Sequence, residues 1–114
     1  MIMLWSSKVM NILDGVTSIG SYAFTNLNSI TTLNIGSGMT ILESTFPSMI
    51  GLTAVTIPNT ITKIGLTAFY NCYSLKTVII PSSVKSIGQH AFGACTSLTS
   101  ITIQNGVTNI GDHA

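Results

Sequence analysis

Nine positions recur every 23 residues, and no other feature restricts the fold of this 114-residue chain so tightly. Ile57, Ile61, Ile64, Gly65, Ala68, Phe69, Cys72, Leu75 and Val78 return 23 residues on as Ile80, Val84, Ile87, Gly88, Ala91, Phe92, Cys95, Leu98 and Ile101. A further copy begins at Ile103, Val107, Ile110, Gly111 and Ala114. Upstream, Ile12, Val16, Ile19, Gly20, Ala23, Phe24, Leu27, Ile30 and Leu33 keep the same register. The copy between is worn: Ile35, Met39, Ile41, Leu42, Thr45, Phe46, Met49, Leu52 and Val55 follow the pattern, read with one residue missing between Met39 and Ile41. A period of this length, carrying Gly and Phe as well as aliphatics, marks a repeat architecture in which each copy buries its apolar face only against its neighbours. The sequence therefore reads as a single solenoid over residues 10–114, four full repeats and a truncated fifth, after a degenerate lead-in over residues 1–9.

Within a copy, Leu75-x-x-Val78-x-Ile80 alternates with period two, puts Thr77 and Ile79 on the opposite face, and stops at Pro81, as Pro58 stops the copy before. This is a short strand. Val84-x-x-Ile87-Gly88 is a second extended piece ended by Gly, and Ala91-Phe92 opens a turn with room for one helical or 3₁₀ turn. The large aliphatics, the Phe and the Cys point inward and stack on their copies at about the spacing of neighbouring strands.

Charge is scarce. Only 6% of residues are charged against 46% hydrophobic, and the net charge is +1 with no arginine. Lys8, Lys63, Lys76 and Lys85 face Asp14, Glu43 and Asp112, which leaves no electrostatic footprint for nucleic acid or an anionic membrane. The longest apolar run, Met1 to Trp5, falls far short of the roughly 20 residues that span a bilayer, and it lacks the basic lead and cleavage site of a secretory signal. Ser (14), Thr (16) and Asn (8) take the place of ions at the surface, and the dominance of β-branched Ile and Thr favours strands.

Residues 75 to 95, Leu-Lys-Thr-Val-Ile-Ile-Pro-Ser-Ser-Val-Lys-Ser-Ile-Gly-Gln-His-Ala-Phe-Gly-Ala-Cys, resemble the BspA-type leucine-rich repeat: a strand ending in I-x-I-P, then V-x-x-I-G, then A-F-x-x-C. The resemblance runs over residues 10 to 114. It implies a right-handed superhelix whose strands form one continuous parallel sheet, in proteins of bacterial and protozoan surfaces, several of them adhesins for host matrix proteins. An extracellular or cell-surface location follows from the resemblance alone. The chain departs from the broader leucine-rich pattern in having no Asn ladder, since the slot after each strand holds Gly15, Gly38, Thr60, Ser83 and Gly106.

No catalytic constellation is legible, so the reading is non-enzymatic and without cofactor. Glu43 and Asp112 share a slot three coils apart, roughly 15 Å at strand spacing, whereas a glycosidase pair needs about 5 to 9.5 Å. A serine nucleophile would need an oriented histidine, for which His90 with Asp112 is the one combination to hand. His90 and His113 share the slot of Tyr22 and Thr67, about 5 Å apart, but two imidazoles without a third ligand do not make a metal site. Cys72 and Cys95, in the slot of Leu27 and Met49, read as buried thiols packing as small hydrophobes, with a disulfide between stacked copies as the alternative. Gly36-Ser37-Gly38 lacks the remainder of a phosphate loop and reads as a coil corner.

What remains is the outer face of the strands: Thr32 and Asn34, Ala54 and Thr56, Thr77 and Ile79, Ser100 and Thr102. This hydroxylated, nearly uncharged ladder suits a macromolecular partner such as a matrix glycoprotein or a glycan. The alternatives are an ice- or polysaccharide-binding Thr ladder, interrupted here by Asn34, Ala54 and Ile79, or a structural spacer. At the ends, either the stretch Met1 to Trp5 folds over as a makeshift cap or copies stack end to end as homo-oligomers.

Overall fold

Alternation of large inward aliphatics with small polar residues produces short parallel strands at two corners of each coil after the first. In the computed structural model, which describes residues 3–5, 8–24 and 27–114, these are β1 (Met3–Trp5), β2 (Val9–Ile12), β3 (Thr32–Ile35), β4 (Ile41–Leu42), β5 (Ala54–Thr56), β6 (Lys63–Ile64), β7 (Thr77–Ile80), β8 (Ser86–Ile87), β9 (Ser100–Ile103) and β10 (Asn109–Ile110). Strands β2, β3 and β5 pair in parallel, as do β7 and β9, along one face. The second face is a parallel sheet in the spatial order β10-β8-β6-β4. The result is a parallel β-solenoid measuring 35 × 29 × 21 Å.

Between the faces runs one column of apolar side chains. Leu33, Leu42, Phe46, Leu52, Ile61, Ile64, Phe69, Leu75 and Ile80 are fully buried. The phenylalanines form a spine, with ring centroids 6.0 Å apart for Phe24–Phe46, 5.6 Å for Phe46–Phe69 and 5.5 Å for Phe69–Phe92. At the carboxyl end the equivalent inward residues Ile101, Ile103 and Ile110 are exposed.

The corner that the sequence left to a helical or 3₁₀ turn is a chain of separate turns. Ala68 N–H donates to Gly65 O, Cys72 N–H to Phe69 O and Leu75 N–H to Cys72 O, each three residues apart. No helix forms among the described residues because two positions per coil take left-handed backbone: Tyr22, Ser44, Thr67, His90 and His113 in one slot, Ser48, Asn71 and Ala94 in the other.

Two expectations are corrected. In the worn copy β4 pairs Leu42 with Ile64 and Ile41 with Lys63, so Leu42 is buried and Ile41 is 49% exposed. The missing residue therefore falls between Leu42 and Ser44, where Glu43 stands for a Gly-x pair, and not between Met39 and Ile41. Elsewhere Gly88 N–H donates to Ile64 O and Gly111 N–H to Ile87 O; without that glycine, Glu43 N–H turns to Thr45 Oγ1. Residues 17–20 accordingly form no strand against β4.

The strand face, moreover, is not one continuous sheet, for the ladder stops between β5 and β7. Thr31, Thr53 and Thr99 N–H groups donate to the preceding coil at 2.8, 2.8 and 3.0 Å, whereas Lys76, in the same slot, reaches Thr53 O only at 3.3 Å. At the other end of the strand Gln104 N–H bonds Ile80 O, but the equivalent residue one coil earlier is Pro81, which has no N–H to give Ile57. Pro58 stands the same way after Ile57, facing Ile35, and there β3 and β5 still pair, over three residues where β2 and β3 pair over four. The missing donor therefore opens the ladder only together with the long bond at Lys76. Weak at one end and without a donor at the other, the seam opens a cleft of about 280 Å³ beside Val55 and Ile79.

At the amino end β1 pairs antiparallel with β2, Leu4 opposite Asn11. The cap expected of residues 1–9 falls partly on Met1, Ile2, Ser6 and Ser7, which lie outside the described residues. No helix among the described residues is long and apolar enough to cross a membrane.

Candidate functional site

Two populations of hydroxyl groups line the coils, and they are used differently. On the flanks, Thr31, Thr53, Thr62, Thr99 and Thr108 each turn Oγ1 onto a carbonyl of the preceding coil, at 3.1–3.3 Å. These side chains staple one coil to the next. On the strand face, the hydroxyls of Thr32, Thr56, Thr77, Ser100 and Thr102 make no hydrogen bond to protein. Thr32 is half-buried and the other four are exposed.

Strand register sets these side chains in rows. Thr32 stands beside Ala54 and Thr77 beside Ser100, while Asn34 stands beside Thr56 and Ile79 beside Thr102. The seam between β5 and β7 divides the face into a β2-β3-β5 half and a β7-β9 half. Ile79 stands out from the second half, 59% exposed. The structure adds Asn11, which the sequence reading left off this face; it lies opposite Asn34 in β3 and accepts at Oδ1 a hydrogen bond from Asn34 Nδ2 at 2.8 Å. Counting back 23 residues from Asn34 reaches it. The face thus carries no charge of its own, with Lys8 and Lys76 at strand entrances and Asp14 beyond the end of β2.

The other candidate groups are placed as follows. His90 and His113 stack, ring centroids 5.2 Å apart and 11° from parallel, and Tyr70 meets His90 edge-on at 5.9 Å, its ring lying over the space that Gly93 leaves free. His90 and Asp112 meet through the backbone, His90 N–H to Asp112 O at 3.2 Å. No group of three or more His, Cys, Asp or Glu among the described residues is arranged to hold a metal ion. Glu43 forms an ion pair with Lys63 at 3.4 Å, both about half exposed, a surface contact of small energetic weight.

Both thiols are free, and each donates to the coil before, Cys72 Sγ to Phe46 O at 3.5 Å and Cys95 Sγ to Phe69 O at 3.3 Å. Burial pushes Cys72 up to about 12, with Cys95 beside it adding to the shift, and burial pushes Cys95 up to about 11. Neither is a nucleophile near neutral pH, since the reactive form is the thiolate.

The chain matches the BspA type leucine rich repeat region, in six copies, over residues 5–114. Among solved structures it is similar to a leucine-rich-repeat protein of T. pallidum, TpLRR (23% identity, TM-score 0.75, covering 91% of this chain and 57% of that one). It is also similar to the pneumococcal vaccine antigen PcpA (23%, 0.78, 92% and 28%) and to a leucine-rich-repeat protein from Bacteroides ovatus (31%, 0.76, 92% and 30%). It therefore spans 57%, 28% and 30% of the lengths of these three proteins. No curated protein sequence matches it.

Proposed function

Because the chain belongs to the BspA-type leucine-rich-repeat family, we propose that it is a non-enzymatic interaction module of a cell-surface protein and presents its strand face to a macromolecular partner. The observation that carries this reading is the division of labour among hydroxyls. Five flank threonines, Thr31, Thr53, Thr62, Thr99 and Thr108, spend their hydroxyls stapling coils, whereas those of Thr32, Thr56, Thr77, Ser100 and Thr102 make no bond to protein and stand together in rows on one face. A face of free neutral donors and acceptors, with no charge to desolvate, favours a neutral polar partner over a charged one. The location at the cell surface rests on the family to which the chain belongs.

The test is direct binding of the purified chain to a panel of matrix glycoproteins and glycans, beside a Thr56→Glu/Thr102→Glu variant. These exposed substitutions leave the inward column intact. Binding that the variant loses supports the strand face as the site; binding that survives in the variant overturns it, and no binding by either makes the stretch a spacer. An ice- or crystal-binding ladder fits less well, because Ala54, Ile79 and the seam break the lattice repeat. Thermal hysteresis at micromolar protein would revive it.

A further inference from the structure

Where the first two coils meet, the strand face carries a shallow, open groove of about 330 Å³, in which Asn11, Asn34 and Asp14 are set among Ile12, Leu13 and Ile35. The bond from Asn34 Nδ2 to Asn11 Oδ1 fixes both half-buried amides in one orientation. Asn11 keeps its Nδ2 donors for a ligand, and Asn34 keeps its Oδ1 acceptor. Asp14 is pinned too, since Oδ1 accepts Ser37 N–H at 2.8 Å across the same coil boundary, and the exposed carboxylate has accepting capacity left over. One concavity thus offers oriented donors, an oriented amide acceptor and one carboxylate.

We propose that this groove binds a neutral saccharide, with Asn11, Asn34 and Asp14 hydrogen-bonding its hydroxyls; the inference rests on the reading of the strand face as an interaction surface. Hydroxyl groups donate and accept at once, which is what a mixed set of this kind requires of its ligand. An added peptide strand has nothing to pair with here: β2 is flanked by β1 and β3, and β3 by β2 and β5, so no ladder edge is open. A divalent cation is poorly served by a single carboxylate. A phosphorylated or sulfated ligand would enter beside Asp14 with no arginine in the chain to meet it. The row continues from Asn34 to Thr56, whose free hydroxyl lies one strand further along, so the saccharide extends across the strands.

The experiment is an array of neutral and anionic oligosaccharides probed with the full chain, followed by calorimetric titration of the strongest neutral binder into the wild type, Asn34→Ala, Asp14→Ser and, as a control off the strand face, Thr96→Val, an exposed residue of a coil corner. Neutral glycans are bound in preference to anionic ones, Asn34→Ala and Asp14→Ser each weaken binding roughly fivefold to tenfold, and Thr96→Val leaves it unchanged. Asp14 is exposed, so its variant reports on the groove even if Asn34→Ala loosens β3. Glycan binding that both groove variants retain, or that EDTA abolishes, overturns the proposal, as does preference for anionic glycans. Binding to matrix proteins but to no neutral glycan overturns it while leaving the strand-face reading in place; no binding to anything removes both.

Discussion

The rings of Phe69 and Phe92 lie 5.5 Å apart and 8° from parallel, so that each coil seats its phenylalanine on that of its neighbour. Phe69 is fully buried with a ring above and a ring below, while Phe92, 8% exposed, has a phenylalanine on one side only. Phe69→Ala is therefore expected to cost about 3–5 kcal/mol, within the range for large-to-small changes at buried aromatic sites, and Phe92→Ala less. Urea denaturation of both variants checks the order. Equal losses would mean that the spine does not act as a stack.

The two cysteines make stability fall at alkaline pH. Their folded values, about 12 and about 11, lie above the ordinary value of 9.0, so the folded chain holds these protons more tightly than the unfolded chain does. That contribution is complete below about pH 9 and is lost as pH rises toward 11 and 12. In a Cys72→Val/Cys95→Val variant, the decline in melting temperature between pH 9 and 11 is expected to be shallower than in the wild type. Parallel declines would refute the assignment, because the two proteins differ only in the thiols.

Ala94 sits at φ 58°, in a slot held one coil earlier by Asn71 at φ 62° and before that by Ser48 at φ 62°. Alanine gains nothing in left-handed backbone, whereas asparagine tolerates it through local hydrogen bonding. Ala94→Asn is expected to stabilise the chain by about 1 kcal/mol, roughly 3–5 °C in melting temperature. The residue is exposed, so packing is not disturbed. Calorimetry showing no gain would mean that the local backbone is already relaxed.

The repeat was plain in the sequence because Gly, Phe and the aliphatics each occupy a slot, and the outward rows followed from strand phase. Where the reading slipped, a single phase was ambiguous. Ile41 and Leu42 are adjacent aliphatics in a two-residue strand, so alternation alone does not say which one faces inward. The absent glycine at Glu43 was the better anchor, as the register of Leu42 with Ile64 shows. Asn11 lies 23 residues before Asn34 but ahead of the first full repeat, so its place in the outward row is apparent only when β2 is seen to pair with β3. The break in the strand face was hidden for another reason. Pro81 ends its own strand as expected, but its missing N–H is felt by Ile57 in the coil before, a relation that appears only once the register is known.

That relation gives the last prediction. If the seam between β5 and β7 comes from Lys76 and Pro81, then giving both positions the residues of the next coil, Lys76→Thr with Pro81→Gln, supplies a hydroxyl for the carbonyl of Thr53 and an N–H for that of Ile57, as Thr99 and Gln104 do for Lys76 and Ile80. Hydrogen exchange is the measurement, because the new amide at position 81 has no counterpart in the wild type. Slow exchange there, with added protection along Thr77–Ile80, is the expected result. Overall stability should move by no more than about 1 kcal/mol, since the hydrogen bond gained is offset by the proline rigidity lost from the unfolded chain. A fast-exchanging amide at 81 would show that the strands are held apart by something other than these two residues, leaving the packing of Val55, half-buried where Leu33 and Val78 are buried, as the feature to alter next.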